Sequence, residues 1–354
     1  MKQEYFGNIS LDDSFFDSLK NDYPEFEVWF NKKAEEKAYI TYNKGRVLSF
    51  LYLKVESIDE NYSDISPIFA PKKRLKVGTF KVVSNGVRLG ERFLKIIFDN
   101  AICNRVDEIY VTIFNRTEDQ LRLISLMEEW GFFKFGSKRT KGEMVYIRNF
   151  EKKFDIKKPK KTYPFISTRT NIFIIPIYPE YHTELLPDSF LRTESPKNFI
   201  ENEPHRNAIS KIYISRSIQR NIQCGDILLF YRTAPHDKSA YYHSVITTIG
   251  IIEEKIDDIK NEADFVLKSR KRSIFTDKYL NKFWNYNIKS HPFLIRFLSV
   301  YSFQLGNRLN RKTLLEMGVI TGEENELRGL KKISREQFLK ILEGAKVHEG
   351  FIVD

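Results

Sequence analysis

Two cysteines, Cys103 and Cys224, are all that 354 residues contain. They stand far apart, without metal-ligand spacing. That usage argues against a disulfide framework or a structural zinc site and fits a reducing cytoplasm. Long apolar runs are missing too: none approaches the ~20 residues a membrane helix needs. The opening MKQEYFGNISLDD has neither the basic start nor the apolar stretch of a secretory signal. No three-glycine dinucleotide fingerprint occurs, and no G-K-[ST] closes a phosphate loop. His236 and His243 share a loop without a second carboxylate pair nearby, which argues against a metal site.

What is present is apolar and basic. A hydrophobic fraction of 42% with 14% aromatics is ample for buried cores, and the length suggests two domains. The net charge of +11 suits an anionic partner, or equally a lysine-rich surface that keeps the protein in solution. The sharpest shift in composition is RNFEKKFDIKKPKKTYPF, residues 148–165, which reads as a solvated basic linker. It divides the chain into residues 1–150, a linker at 151–164, and residues 165–354.

Upstream of that linker, DDSFFDSLKNDYPEFEVWFNKKAEE suggests two short helices broken near Pro24, with no strand legible ahead of them. KAYITY, VLSFLYLKVE, RLKVGTFKVV and EIYVTIF alternate as strands. Residues 90–104 are helical: Leu89, Phe93, Ile96, Ile97 and Ala101 form one face, and Arg92, Lys95 and Asp99 the other. EDQLRLISLMEEW is a second helix and GEMVYIRNF a last strand. The pattern is a mixed α/β domain.

Between RLKVGTFKVV and the first long helix lies NGVRLG, Asn85 to Gly90. A strand feeding a tight turn into a helix start offers unpaired N–H groups and the positive end of the helix dipole, which suits a phosphate. Gly86 permits the turn and Gly90 a close backbone approach, while Arg88 and Arg92 add positive charge.

Strand, glycine turn, helix, strand, and a helix ending in LMEEWGFF together resemble the central region of the GNAT N-acetyltransferases, over roughly residues 10–150. The resemblance implies a turn that holds the pyrophosphate of acetyl-coenzyme A, and a preceding strand that binds the pantetheine arm. It also implies two central strands that splay to admit the arm. NGVRLG matches the family's Q/R-x-x-G-x-G/A, with Asn85 for Gln/Arg and Arg88 for the first glycine. The cofactor residues so implied are Lys81, Val82, Val83, Arg88, Leu89, Gly90, Glu91, Arg92 and Asn115. Backbone N–H groups around Lys81 to Val83 would meet the oxyanion. Met127 stands where the family often has a proton-donating tyrosine, leaving Tyr110 or Tyr146 as candidate acids. Glu56 is the candidate base, against the plainer reading of a strand-end carboxylate paired with Lys54 or Lys76.

After the linker, NIFIIPIYP, KIYIS, DILLFYRT and SVITTIGIIEEK are strands, and Ser334 with Gln337 makes a capping box before a short helix. CGDILLFYRTAPHDKSAYYHSVITTIGIIEEK resembles the PUA-like superfamily, near its ASCH and EVE branches, through Gly225, Asp226, Phe230, Tyr231 and Gly250. That resemblance implies a mainly β small barrel that binds RNA or a modified base. Tyr231 and Arg232 are candidate base or phosphate contacts. Lys268, Arg270, Lys271 and Arg272 of KSRKRS form a basic cluster before the aromatic FTDKYLNKFWNY. The expectation is an acetyl-CoA-dependent N-acetyltransferase guided to RNA or DNA by its second domain. The alternative is a non-catalytic protein that binds nucleic acid or senses acetyl-CoA.

Overall fold

A computed structural model describes every residue except 84–85, 192–193, 195–202, 324 and 348, together with all but the side chain of 349. The chain divides into two units, Met1–Glu151 and Lys152–Asp354.

In chain order unit 1 comprises β1 (Lys2–Tyr5), α1 (Asp17–Asp22), α2 (Phe26–Asn31), β2 (Lys37–Asn43), β3 (Arg46–Glu56) and β4 (Ile65–Ser66). There follow β5 (Arg74–Val82), α3 (Leu89–Cys103), β6 (Glu108–Ile113), α4 (Glu118–Glu129), β7 (Phe133–Lys138) and β8 (Met144–Asn149). They make one eight-stranded sheet in the order β1-β2-β3-β5-β6-β8-β7-β4. Among the described residues of this sheet only β5 and β6 run parallel, joined by the crossover helix α3 that a parallel pair needs. A first strand, not legible in the sequence, does exist: β1 pairs antiparallel with β2. Its residues KQEY are nearly all exposed on a sheet edge, so they carry no apolar alternation to read.

Phe50 and Tyr52 of β3 turn one face of the sheet toward α1 and α2, where Phe16, Phe26 and Phe30 complete an aromatic core. Phe80 of β5 meets Phe93 of α3 on the other face, with ring centroids 5.5 Å apart. A Thr117–Gln120 capping box starts α4, satisfying two amides that would otherwise lack partners.

Unit 2 contains α5 (Pro159–Thr162), β9 (Ile172–Ile177), α6 (Pro179–Leu185), α7 (Pro204–Asn207), β10 (Ser210–Ser215), β11 (Ile227–Arg232) and α8 (Ala240–His243). It continues with β12 (Val245–Ile256), α9 (Glu262–Ser269), α10 (Asp277–Asn285), β13 (Phe293–Ser302), α11 (Arg311–Glu316), β14 (Lys331–Ile333) and α12 (Arg335–Gly344). Its sheet runs β10-β13-β12-β11-β9-β14. The ladder has two ends, so among the described residues hydrogen bonding does not close it into a ring; bulges at Phe230/Tyr231 and Ile249/Gly250 bend it. The expected capping box of Ser334 and Gln337 starts α12.

The expected solvated linker is different in kind. Pro159, Tyr163 and Phe165 are buried, the Tyr163 hydroxyl donates to the Ser299 carbonyl at 2.8 Å, and Lys160 pairs with Glu253 at 3.0 Å. Residues 151–158 are exposed or half-buried, but lysine density hid three anchors, and from Pro159 onward the segment belongs to the core of unit 2.

Candidate functional site

The parallel pair at the centre of unit 1 is fastened at its start and open at its end. At the start, buried Arg74 donates to Glu108 at 2.8 Å and lies over the Phe69 ring, 4.0 Å from its centroid. Pairing then runs only from Arg74–Glu108 to Val77–Val111. Beyond it β5 continues to Val82 and β6 to Ile113 without bonding each other.

The cause is a bulge. Against β3, Thr79 lies opposite Tyr52 and Val77 opposite Leu53, so Gly78 is the extra residue. A bulge bends its strand and ends regular pairing. Gly78 is needed there because a Cβ would stand 2.6 Å from the Tyr52 ring. Beyond the bulge the Val83 amide donates to the Leu48 carbonyl at 2.9 Å. Strand alternation then turns the Lys81 amide toward β3 as well and the Phe80 and Val82 amides toward the opening. This corrects the expected oxyanion donors: the amide of Val83 is already spent, and Val82 is the member of that set facing the gap. The Lys81 side chain crosses to the α1 side, donating to the Phe15 carbonyl and to Ser18 Oγ at 2.6 Å. Burial lowers its pKa.

At the head of α3 the amides of Glu91 and Arg92 both reach the Arg88 carbonyl, at 3.1 and 3.3 Å. Those of Leu89 and Gly90 have no acceptor among the described residues. Arg88 takes φ 58°, in the left-handed region, where the resembled pattern carries glycine. Its guanidinium folds back onto buried Glu91 at 2.6 Å. The expectation that Arg88 adds free positive charge is thus corrected, since Glu91 neutralises it. Gly90 also serves another purpose than anion approach: a Cβ there would lie 2.7 Å from Leu126 of α4. Leu89 is buried, Arg92 half-buried, and Asn115 exposed just past β6. Asn85 lies outside the described residues.

Glu56, the expected base, is only 2% exposed. Its Oε2 accepts from Tyr110 at 2.7 Å and Tyr62 at 3.0 Å, and its Oε1 lies 3.4 Å from Lys54 and 3.6 Å from Lys76. It sits opposite Arg74, so the bulge at Gly78 is roughly 13 Å further along β5 at about 3.3 Å per residue. The plainer reading of Glu56, a paired strand-end carboxylate, fits this place, except that it is buried. Tyr110 is locked into the same network, and burial and Glu56 hold its proton firmly. Tyr146 lies opposite Val111, the last residue of the pairing. Met127 is buried.

A cluster that sequence reasoning missed stands at the open end. Glu143, 3% exposed, accepts from the Tyr23 hydroxyl at 2.8 Å and from Thr112 Oγ1 at 3.0 Å. Thr112 is the first residue of β6 past the last pair with β5. No periodicity marks Glu143 in the turn TKGEM or Tyr23 in NDYPEF; only the fold brings them together.

In unit 2 the expected nucleic-acid contacts fare differently. Tyr231 is 2% exposed and cannot present a ring to a splayed base. Arg232 is buried and lies 3.4 Å from Glu194. Lys268 pairs with Asp264 at 2.8 Å, Arg270 with Asp277 at 2.6 Å, and Arg272 donates to the Ser210 carbonyl at 2.6 Å. Lys271 alone of that cluster is exposed without a partner among the described residues. Local carboxylates and carbonyls have absorbed the rest. Tyr231 does line a 530 Å³ cavity with Thr233, His236, Lys238 and Arg311, although its hydroxyl is sealed from solvent without a hydrogen bond.

Comparison with known proteins finds no matching family model and no matching curated protein. Among solved structures, the NatC complex bound to Gag peptide and CoA aligns at 13% identity and a TM-score of 0.27, over 42% of this chain and 98% of that one. A GNAT-family acetyltransferase from Streptococcus agalactiae aligns at 15% identity and 0.26, over 39% and 79%. The Bacillus subtilis N-acetyltransferase YlbP in complex with coenzyme A aligns at 14% identity and 0.26, over 42% and 95%.

Proposed function

We propose that unit 1 is a GNAT-type acyltransferase that takes acetyl-coenzyme A as co-substrate and acetylates an amine. The observation that carries this reading is the parallel pair β5–β6, which parts after Val77–Val111 beside a bulge at Gly78. An extended arm entering that gap meets strand amides whose normal partners are missing, and an amide in an apolar setting gains by finding one. The chain's own residues fit the two ends of such a molecule. The unpaired amides of Leu89 and Gly90, at the positive end of fifteen-residue α3, suit the diphosphate. The amides of Phe80 and Val82 suit the arm and the carbonyl oxygen. When bound, acetyl-coenzyme A would supply the activated acetyl group.

Titration calorimetry with acetyl-coenzyme A, followed by release of free thiol in the presence of a primary amine, tests this. Binding and thiol release are expected. Absence of binding overturns the reading. Binding without transfer favours the sensor alternative, which the Arg88–Glu91 ion pair at the helix head and Met127 at the acid position also favour.

For unit 2 we propose recognition of a base of RNA or DNA in the cavity beside Tyr231. Its volume lies in the range of small-ligand sites, and the side chains of His236 and Asn325 on its lining suit hydrogen bonds to a base edge. Lys238 and Arg311 at the same cavity suit a phosphate. Anisotropy titrations of labelled single-stranded RNA and DNA should show binding that weakens as salt rises. Binding insensitive to salt would overturn the phosphate contacts.

A further inference from the structure

The Glu143 carboxylate is nearly buried, yet no lysine, arginine or histidine pairs with it among the described residues. Both hydroxyl donors, Tyr23 and Thr112, fall on Oε1. Oε2 has no hydrogen-bond partner, and it is not among the side-chain atoms sealed from solvent. Burial, helped by the charge of Glu143 and opposed by Arg116, pushes the Tyr23 hydroxyl up, so Tyr23 remains a donor at every pH of interest. A carboxylate held this way is anchored by one oxygen and open to solvent at the other, where a cationic donor can take the place of water.

Its surroundings say what that cation is. Tyr23 packs on Phe114 with centroids 5.4 Å apart, giving an apolar wall. The nearby cations are engaged with rings: Lys141 lies 5.7 Å from the Tyr23 centroid and Arg116 lies 4.0 Å from that of Phe114. Lys81, on the same face of the sheet, is tied to Phe15 and Ser18. Asp22 is spent on Gln120 Nε2 at 2.9 Å. Thr112 places the cluster at the mouth of the gap between β5 and β6, on the face covered by α1 and α2.

We propose that Glu143 binds the acceptor as a primary ammonium on an apolar stem and removes the proton that makes it unreactive. The assignment rests on the acyl-transfer reading above. Glu143 Oε2 takes one proton from R–NH3⁺. The neutral nitrogen then forms the C–N bond to the acetyl carbon as the C–S bond breaks. The second nitrogen proton ends on the departing sulfur, and Glu143 returns its proton to water. No oxidant or reductant is involved.

The test uses Glu143→Gln, because the amide oxygen still accepts from Tyr23 and Thr112 while the charge and basicity go. Transfer is measured from acetyl-coenzyme A to butylamine, an ammonium at neutral pH, and to hydroxylamine, which is already neutral there. The ratio of butylamine to hydroxylamine rates should fall on the order of a hundredfold. Independently of turnover, saturation-transfer NMR of butylamine with the protein loaded with coenzyme A should give a signal that Glu143→Gln abolishes. Equal loss of both rates, or an undiminished butylamine signal, overturns the role of Glu143. A wild-type protein that transfers to neither amine overturns the transferase reading and this assignment with it.

Discussion

Glu56 accepts two phenol hydroxyls and faces two lysines inside the sheet, so it is a structural anchor at the closed end of the strand pair. Replacing it by alanine strands the Tyr62 and Tyr110 hydroxyls, while half-exposed Lys54 keeps Glu60 at 3.0 Å. The expected cost is about 2–5 kcal/mol, that of leaving two buried hydroxyls without an acceptor, read from the urea midpoint of unit 1. Glu56→Gln keeps an acceptor for both phenols, so it should cost about 1–2 kcal/mol and leave acetyl transfer unchanged. A Glu56→Gln protein of normal stability without transfer activity would show that the anchor assignment is wrong. Arg88 carries a second lesson at this scale. The sequence shows a charge beside a phosphate-sized turn, but not that Glu91, one helical turn on, claims it.

Among the elements, β5 does most to define the site, and it does so through one glycine. Tyr52 cannot swing away from Gly78, because its hydroxyl is held by Glu36 and Lys33. Gly78→Ala therefore sets a methyl against a fixed ring and should destabilise unit 1 by about 1–3 kcal/mol, the range for overpacking. Calorimetric binding of acetyl-coenzyme A should weaken in the same variant; unchanged stability would mean the bulge is softer than argued. Much of this element level was legible. The strands KAYITY, VLSFLYLKVE, RLKVGTFKVV and EIYVTIF and the helix from Leu89 follow from alternation and the 3.6-residue period, which record burial directly. Exposed β1 and two-residue β4 bury too little to leave such a record. The bulge was invisible for another reason. A glycine inside a strand says that something approaches closely, but only the register against β3 says that the something is Tyr52 and that β6 parts there. Glu143 and Tyr23 were illegible because they lie far apart in sequence and meet through topology alone.

At the scale of the whole molecule, charge is divided in a way that composition conceals. All six histidines, at 182, 205, 236, 243, 291 and 348, belong to unit 2, while unit 1 has none. Among the described residues two of them, His182 and His205, are buried. His182 shares its ring nitrogens with Thr247 at 2.8 Å and Thr183 at 3.1 Å, and burial, reinforced by Arg232 and Arg308, lowers its pKa well below 6.5. His205 is lowered to about 4 by burial and by Lys211, against the pull of Glu184. Both rings are therefore neutral when folded, whereas in the unfolded chain they take a proton near the ordinary 6.5. Above that pH the two states hold equal numbers of protons, and stability is unaffected. As pH falls from 6.5 toward 4 the unfolded state holds more, so unit 2 loses stability, at up to about 1.4 kcal/mol per pH unit for each histidine. Below about 4 His205 stops contributing because its folded form protonates too, while His182 continues. Hydrogen exchange corrected for intrinsic rate should show this as falling protection in β11 and β13, with β3 and β5 unchanged until carboxylates titrate. His205→Gln should roughly halve the slope, since one proton-linked group then remains. Protection in β13 that stays flat across this window would mean that these rings are solvated rather than buried, and the polar cluster around His182 would then be an open surface instead of part of the core.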